Sequence, residues 1–175
     1  PVEEAQGGRE GMRVETTKFG TLEVGEESVI FLPEGLVGFE GLKRFVLLER
    51  EGEEPFKWLQ SLDEPSIAFV VIDPMTFKRD YLVPLEQEEA ARLGIERPDD
   101  AALLVIVTIP KEREGMTANL QGPLVVNLKS KLGKQLVLTE ELYTTKHNIL
   151  EELRASSHIR GGGNIFPPES RLRGL

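Results

Sequence analysis

The chain predicts a mainly β fold, a compact barrel-like (pseudo-barrel) single domain with one or two short helices, and three observations carry that expectation. Its apolar runs are short and rich in Val, Ile, Phe and Leu. Gly, Pro and Asp separate them, the pattern of strands joined by turns. With 175 residues the chain has the length of one domain and enough material for one core.

Taken in order, Pro1 to Gly11 holds three glycines and no hydrophobic periodicity, so residues 1–11 read as a disordered leader. The body, residues 12–150, opens with alternating strands at Arg13 to Thr17 and Gly20 to Val24, followed by Ser28 to Leu32 and Phe45 to Glu51. Lys57 to Ser61 and Ile67 to Ile72 come next. Leu103 to Ile109 is apolar at nearly every position, as expected of a central strand buried on both faces. Leu124 to Asn127 and Gln135 to Leu138 complete the strands.

Two segments read as helices. Glu86 to Leu93 places acids in its first turn and is followed by Gly94, the residue preferred just past a helix end. Asn148 to Ala155 starts on an N-cap asparagine with Glu151 three residues on, as in a capping box, and sets Ile149 and Leu153 on one face. Residues 151–175 are the end of this helix and a flexible tail, in which a triple glycine and a double proline predict an unfolded segment. From Arg154 onward the tail has four arginines against Glu169 alone.

Charge and composition narrow the function. The net charge is −9, from 30 acidic and 21 basic side chains, a field that repels phosphates and argues against direct nucleic-acid binding. Cysteine is absent, which removes disulfides and thiolate chemistry. No apolar run reaches the roughly 20 residues that cross a bilayer, and no signal-like segment opens the chain, so a cytoplasmic protein is expected. Catalytic groups are scarce. His158 lies in the tail, His147 has no ligand-spaced partner, and metal loops, a Walker sequence and G-x-S-x-G are missing. Adjacent acid pairs such as Asp99 and Asp100 or Glu88 and Glu89 read as solvated surface, since an acid and a base must face each other across a substrate. No catalytic residue, metal or cofactor is expected.

Several segments exceed what packing demands. In Phe31 to Phe45, Pro33 and three glycines force turns while Leu36, Phe39, Leu42 and Phe45 recur every three residues, a spacing that suits one turn of helix pinning a loop to the core. Phe39, in a glycine-flanked turn, reads equally as core or as a surface anchor. Trp58 and Gln60 share one face of a strand, and Trp58 likewise reads as core or anchor. Asn119 and Asn127 lie beside apolar strands, where an amide that satisfies backbone groups is the ordinary role.

In sequence order these blocks are F-L-P-E-G-L-V-G-F-E at Phe31, F-K-W-L-Q-S at Phe56, I-D-P at Ile72, D-Y at Asp80, V-T-I-P at Val107 and T-A-N-L-Q-G-P-L-V-V-N at Thr117. Their order and spacing resemble the FliW family of flagellar assembly factors, over about Met12 to Ile149. The resemblance implies a barrel-like fold that binds two proteins, flagellin and the translational regulator CsrA. It further implies that CsrA's repression of flagellin synthesis is relieved when flagellin does not occupy the factor. The body carries 24 acidic against 16 basic residues, which suits a partner with a basic surface. Turn-borne acids and aromatics that could project outward make Phe39, Glu40, Asp73, Asp80 and Tyr81 the expected partner contacts. The competing expectations are a small-ligand β-barrel with Trp58 and Tyr81 lining its pocket, and a chaperone of flagellin alone.

Overall fold

A computed structural model of the chain describes residues 11–139, 143–157 and 172–173. Its strands are β1 (Met12–Thr16), β2 (Gly20–Val24), β3 (Val29–Phe31), β4 (Arg44–Leu48), β5 (Lys57–Ser61), β6 (Ala68–Ile72), β7 (Val83–Pro84), β8 (Ala101–Thr108), β9 (Thr117–Ala118), β10 (Leu124–Asn127), β11 (Gly133–Gln135), β12 (His147–Asn148) and β13 (Leu172–Arg173). Helix α1 spans Gln87–Leu93 and α2 spans Ile149–Ser157. The expected leader lies almost wholly outside the described residues, as does most of the expected flexible tail. Within that tail, however, β13 pairs in parallel with β7.

Nine strands form one sheet in the order β11-β10-β8-β6-β5-β4-β3, with β9 on β8 and β12 on β9. The two ends of this path approach each other at a single parallel bridge between Phe31 and Leu132, where the Phe31 N–H donates to the Lys131 carbonyl at 3.0 Å. One bridge joins the ends without closing a ladder. Barrel-like therefore describes the shape loosely, and a seam remains between β3 and β11.

The centre is β8. Its apolar run pairs with β6 through Val105 to Val107 and with β10 through Ala101 to Leu104, as expected for the central strand. Successive side chains leave a strand on opposite faces. Leu103, Val105 and Val107 accordingly join one buried cluster with Ile72, Tyr81, Val83, Leu85, Val125 and Ile149. Leu104 joins a second, with Ile30, Leu32, Leu36, Phe45, Leu59 and Val71. A third, smaller cluster forms where the β1–β2 hairpin covers Val46, Leu48 and Trp58.

Eight of the nine expected strands are present, with ends displaced by a few residues; the expected strand Phe45 to Glu51 is β4, which stops at Leu48. The ninth, Gln135 to Leu138, does not form, and the ladder is made by Gly133–Gln135 instead. A Cβ on Gly133 would stand 2.9 Å from the Val125 carbonyl and 2.9 Å from Leu32, so glycine admits the close backbone approach that pairing requires here. Both helices form. Gly94 closes α1 at φ 68°, and Asn148 caps α2 by accepting from the Glu151 N–H at 2.9 Å. The three-residue spacing from Leu36 to Phe45 makes no helical turn. Consecutive tight turns place Leu36 and Phe45 in the core instead, with Leu36 and Phe39 bridged across one of them.

Asn127 holds the end of α1 to the sheet. Its Nδ2 donates to the carbonyls of Leu93 at 2.9 Å and Gly94 at 3.2 Å, and its Oδ1 accepts from the N–H groups of Lys129 and Ser130. Removing the amide leaves buried carbonyls and turn N–H groups without partners. Asn127→Ala should therefore lower the unfolding free energy by about 2–3 kcal/mol in urea titration, with an unchanged m-value.

Candidate partner-binding surface

The seam holds a groove of about 500 Å³. One wall is the loop after β3, Glu34 to Val37 with Glu40, and the other is Lys134 to Thr139, the end of β11 and the residues that follow it. Pro84, Leu85, Glu86 and Glu89, from β7 and the start of α1, close one side. Polar side chains bridge the walls where the ladder fails. The Val37 N–H donates to Gln135 Oε1 at 2.8 Å, and Gln135 Nε2 donates to the Gly122 carbonyl at 3.0 Å.

The loop is fixed from below. Gly35 stands at φ 66°, and a Cβ there would fall 2.6 Å from the Phe39 carbonyl, so this turn requires glycine. Leu36 is buried, which directs its neighbour Val37 outward to 65% exposure. Across the groove Val137 is 67% exposed beside buried Leu138. Phe39 is 37% exposed, with its ring edge-on to Phe69 at 5.2 Å, so it is partly packed and partly presented.

Groove electrostatics are one-sided. Glu34, Glu40, Glu86 and Glu89 face Lys134 alone, and that lysine is already bound, 2.7 Å from Glu89 and 3.2 Å from Glu34. The hydrogen bond to Glu89 raises the Lys134 pKa, so the lysine stays charged while a net negative charge is left over. At the exposed tip, the backbone N–H groups of Glu40 itself and of Gly38 lower the Glu40 pKa and keep it ionised. The groove offers carboxylates and valines to an occupant, and no group of three His, Asp or Glu that could hold a metal ion occurs among the described residues.

The five expected contacts separate. Glu40 lines the groove, whereas Phe39, its neighbour in the chain, is outside the lining and packs on Phe69. Asp80 is exposed, its carboxylate 3.0 Å from Lys78, which also reaches Glu152 of α2 at 3.6 Å. Asp73 caps the turn at Pro74 by accepting from the Met75 N–H at 2.9 Å. Tyr81 does not project outward: it is fully buried, donates to the Leu120 carbonyl at 2.6 Å and packs edge-on against Tyr143 at 4.8 Å. Burial pushes its hydroxyl pKa up, which suits a neutral donor in a core.

Trp58 resolves as packing. Its indole N–H donates to Glu53 at 2.8 Å, Phe19 meets it edge-on at 5.6 Å, and the Lys18 ammonium lies 3.7 Å from its ring centroid. Trp58 and Tyr81 belong to different clusters, so the expected pocket between them is not formed. The sequence reading missed Val37, Val137, Glu34, Glu86 and Glu89 as a group. One signal was available: a valine next to a core leucine in a non-helical loop must face away from that core.

The FliW protein family model matches residues 13–149. The chain belongs to the FliW family. It is 46% identical over 149 residues to the flagellar assembly factor FliW of Caldanaerobacter subterraneus subsp. tengcongensis, covering 84% of this chain and 99% of that one. The FliW of Leptospira interrogans serogroup Icterohaemorrhagiae serovar Lai is 42% identical over 142 residues, covering 81% of this chain and 95% of that one. A crystal structure of the flagellar assembly factor FliW superposes with a TM-score of 0.73 at 36% identity, covering 79% of this chain and 96% of that chain. The FliW fold thus accounts for the body, and the family is one of assembly factors. No helix among the described residues is long and apolar enough to span a membrane.

The groove loop returns to the sheet at Asp63, whose carboxylate accepts from the N–H groups of Lys43 at 2.8 Å and Arg44 at 3.0 Å and pairs with the Arg44 guanidinium at 3.0 Å. Burial pushes the Asp63 pKa up, but these donors outweigh it and hold the carboxyl below its ordinary value. A folded-state pKa below the unfolded one stabilises fully above the unfolded value, about 3.9, and the contribution is lost as pH falls through the folded pKa. Asp63→Asn should therefore cost about 1–2 kcal/mol at pH 7. The gap between the urea curves of the two proteins should close as the pH is lowered from 4 toward 2.

Proposed function

We propose that the chain is a non-enzymatic, cytoplasmic regulator of flagellum assembly that binds the translational regulator CsrA, antagonises its repression of flagellin synthesis, and exchanges CsrA for flagellin. Membership of the FliW family supports the assembly role, and the seam groove is the observation that carries the partner reading. Its excess of carboxylates would attract a basic partner and raise the encounter rate, and Val37, Val137 and Phe39 would supply contact area that salt does not screen. Glu40 in the groove and Phe39 beside it are the favoured contacts. Asp80 lies four residues before Pro84, at most about 14 Å of extended chain away, and its exposed carboxylate could extend the same acidic face. Asp73 would act indirectly, by shaping the turn that precedes Asp80.

Titration calorimetry with purified CsrA, at low and high salt and with or without flagellin, tests the reading. Binding should weaken with salt, and prior occupancy by flagellin should suppress it. Glu40→Lys combined with Glu86→Lys should weaken low-salt binding by about tenfold, the effect of roughly 1.4 kcal/mol. Unchanged affinity and salt slope in that folded variant would remove the groove from the interface. No heat with folded CsrA, but heat with flagellin, would leave a chaperone of flagellin alone.

A further inference from the structure

The seam groove ends on a strand with an open edge. In β7, Val83 is buried and Leu85 just beyond it is buried, while Pro84 between them faces the groove. The strand is thus anchored by its side chains, and no strand of the main sheet pairs with it. Its one strand partner among the described residues is β13, in parallel, with Leu172 opposite Val83 and Arg173 opposite Pro84. An exposed edge takes an added strand through main-chain hydrogen bonds, and neighbouring side chains then select the occupant.

We propose that the β7 edge and the acidic groove beside it form an internal docking site for the chain's own basic segment around Leu172–Arg173. Three observations meet here. The strand pairing itself seats that segment. After Ser157 the segment carries Arg160, Arg171 and Arg173 against Glu169, while the groove carries Glu34, Glu40, Glu86 and Glu89 against Lys134, so the charges are opposite. Fourteen residues lie between Ser157 and Leu172, a reach of up to about 50 Å, so the tether leaves the register free to form. The segment holds the groove as a tethered competitor, and a partner must displace it. That last consequence rests on the groove being the partner site; the docking itself does not.

The FliW family match ends at residue 149, so the matched body stops short of the segment. Hydrogen–deuterium exchange over residues 82–86 should run at least threefold faster in a chain ending at Ser157, and in full-length Arg171→Glu with Arg173→Glu, than in the intact chain. Exchange in β8 should be equal in all three. A labelled peptide of residues 169–175 should bind the chain ending at Ser157, bind the intact chain more weakly, and lose affinity in high salt or on Glu86→Lys. Equal exchange at residues 82–86 with and without the segment, or no peptide binding to the shortened chain, would overturn the docking. Neither measurement contains CsrA or flagellin, so its failure leaves the partner reading standing. If docking holds and shortening the chain leaves CsrA affinity unchanged, the competition fails alone.

Discussion

Everything in this fold is organised by a strand that must be dry on both sides. The run in β8 is too apolar for either face to meet water, so each face has to be covered by its own core. Alternation along the strand then divides the body into two clusters, and the neighbours follow the same parity: Ile72 and Val125 turn to one side, Val71, Leu124 and Val126 to the other. A sheet covered on both faces by its own extensions has to curl. Here it curls until β3 and β11 meet at one bridge. The groove follows from that geometry, because the incompletely closed edge is where side chains from two distant parts of the chain line a common depression.

The groove's chemistry is a consequence of how the seam is sealed. A ladder would have placed main-chain groups across the gap; instead Gln135 spans it with an amide and Lys134 with an ammonium. Lysine in that role is consumed by the carboxylates it bridges, so the acids left at the rim dominate the local field. The valines on either wall are exposed for a related reason: each adjoins a leucine that the core has claimed. An acidic rim around a small apolar floor is thus built from residues that also hold the loop in place.

How far this could be read from the residues depends on the range of the interactions involved. Strands bounded by turns, the β8 run, the Gly94 helix end and the Asn148 cap are local patterns and were legible. The two-residue strands β7, β9 and β12 were not, since pairs of residues carry no periodicity and exist only through their partners. The slip at β11 came from weighting Leu136, Val137 and Leu138 as a strand when Gly133 marked the point of closest backbone approach. Tyr81 was misplaced because its neighbour Asp80 is a surface residue, whereas its own partner, the Leu120 carbonyl, lies 39 residues away. The homologous blocks identified the family, but they could not separate residues that make the seam from residues that face across it.

The seam is also the part of the sheet with least cooperativity. Exposed ion pairs contribute about 0–1 kcal/mol each and weaken with salt, whereas a strand in a continuous ladder is held by several hydrogen bonds and a buried face at once. Glu34 is largely exposed where it meets Lys134, so that contact belongs to the weak class. The two walls are individually rigid, one through Gly35 and Asp63, the other through the β10–β11 pairing. Their separation, by contrast, depends on contacts that charge substitution or ionic strength can change. A groove with firm walls and a soft closure can take an occupant at little cost to the cores, because the interactions disturbed are those that contribute least to holding the fold together.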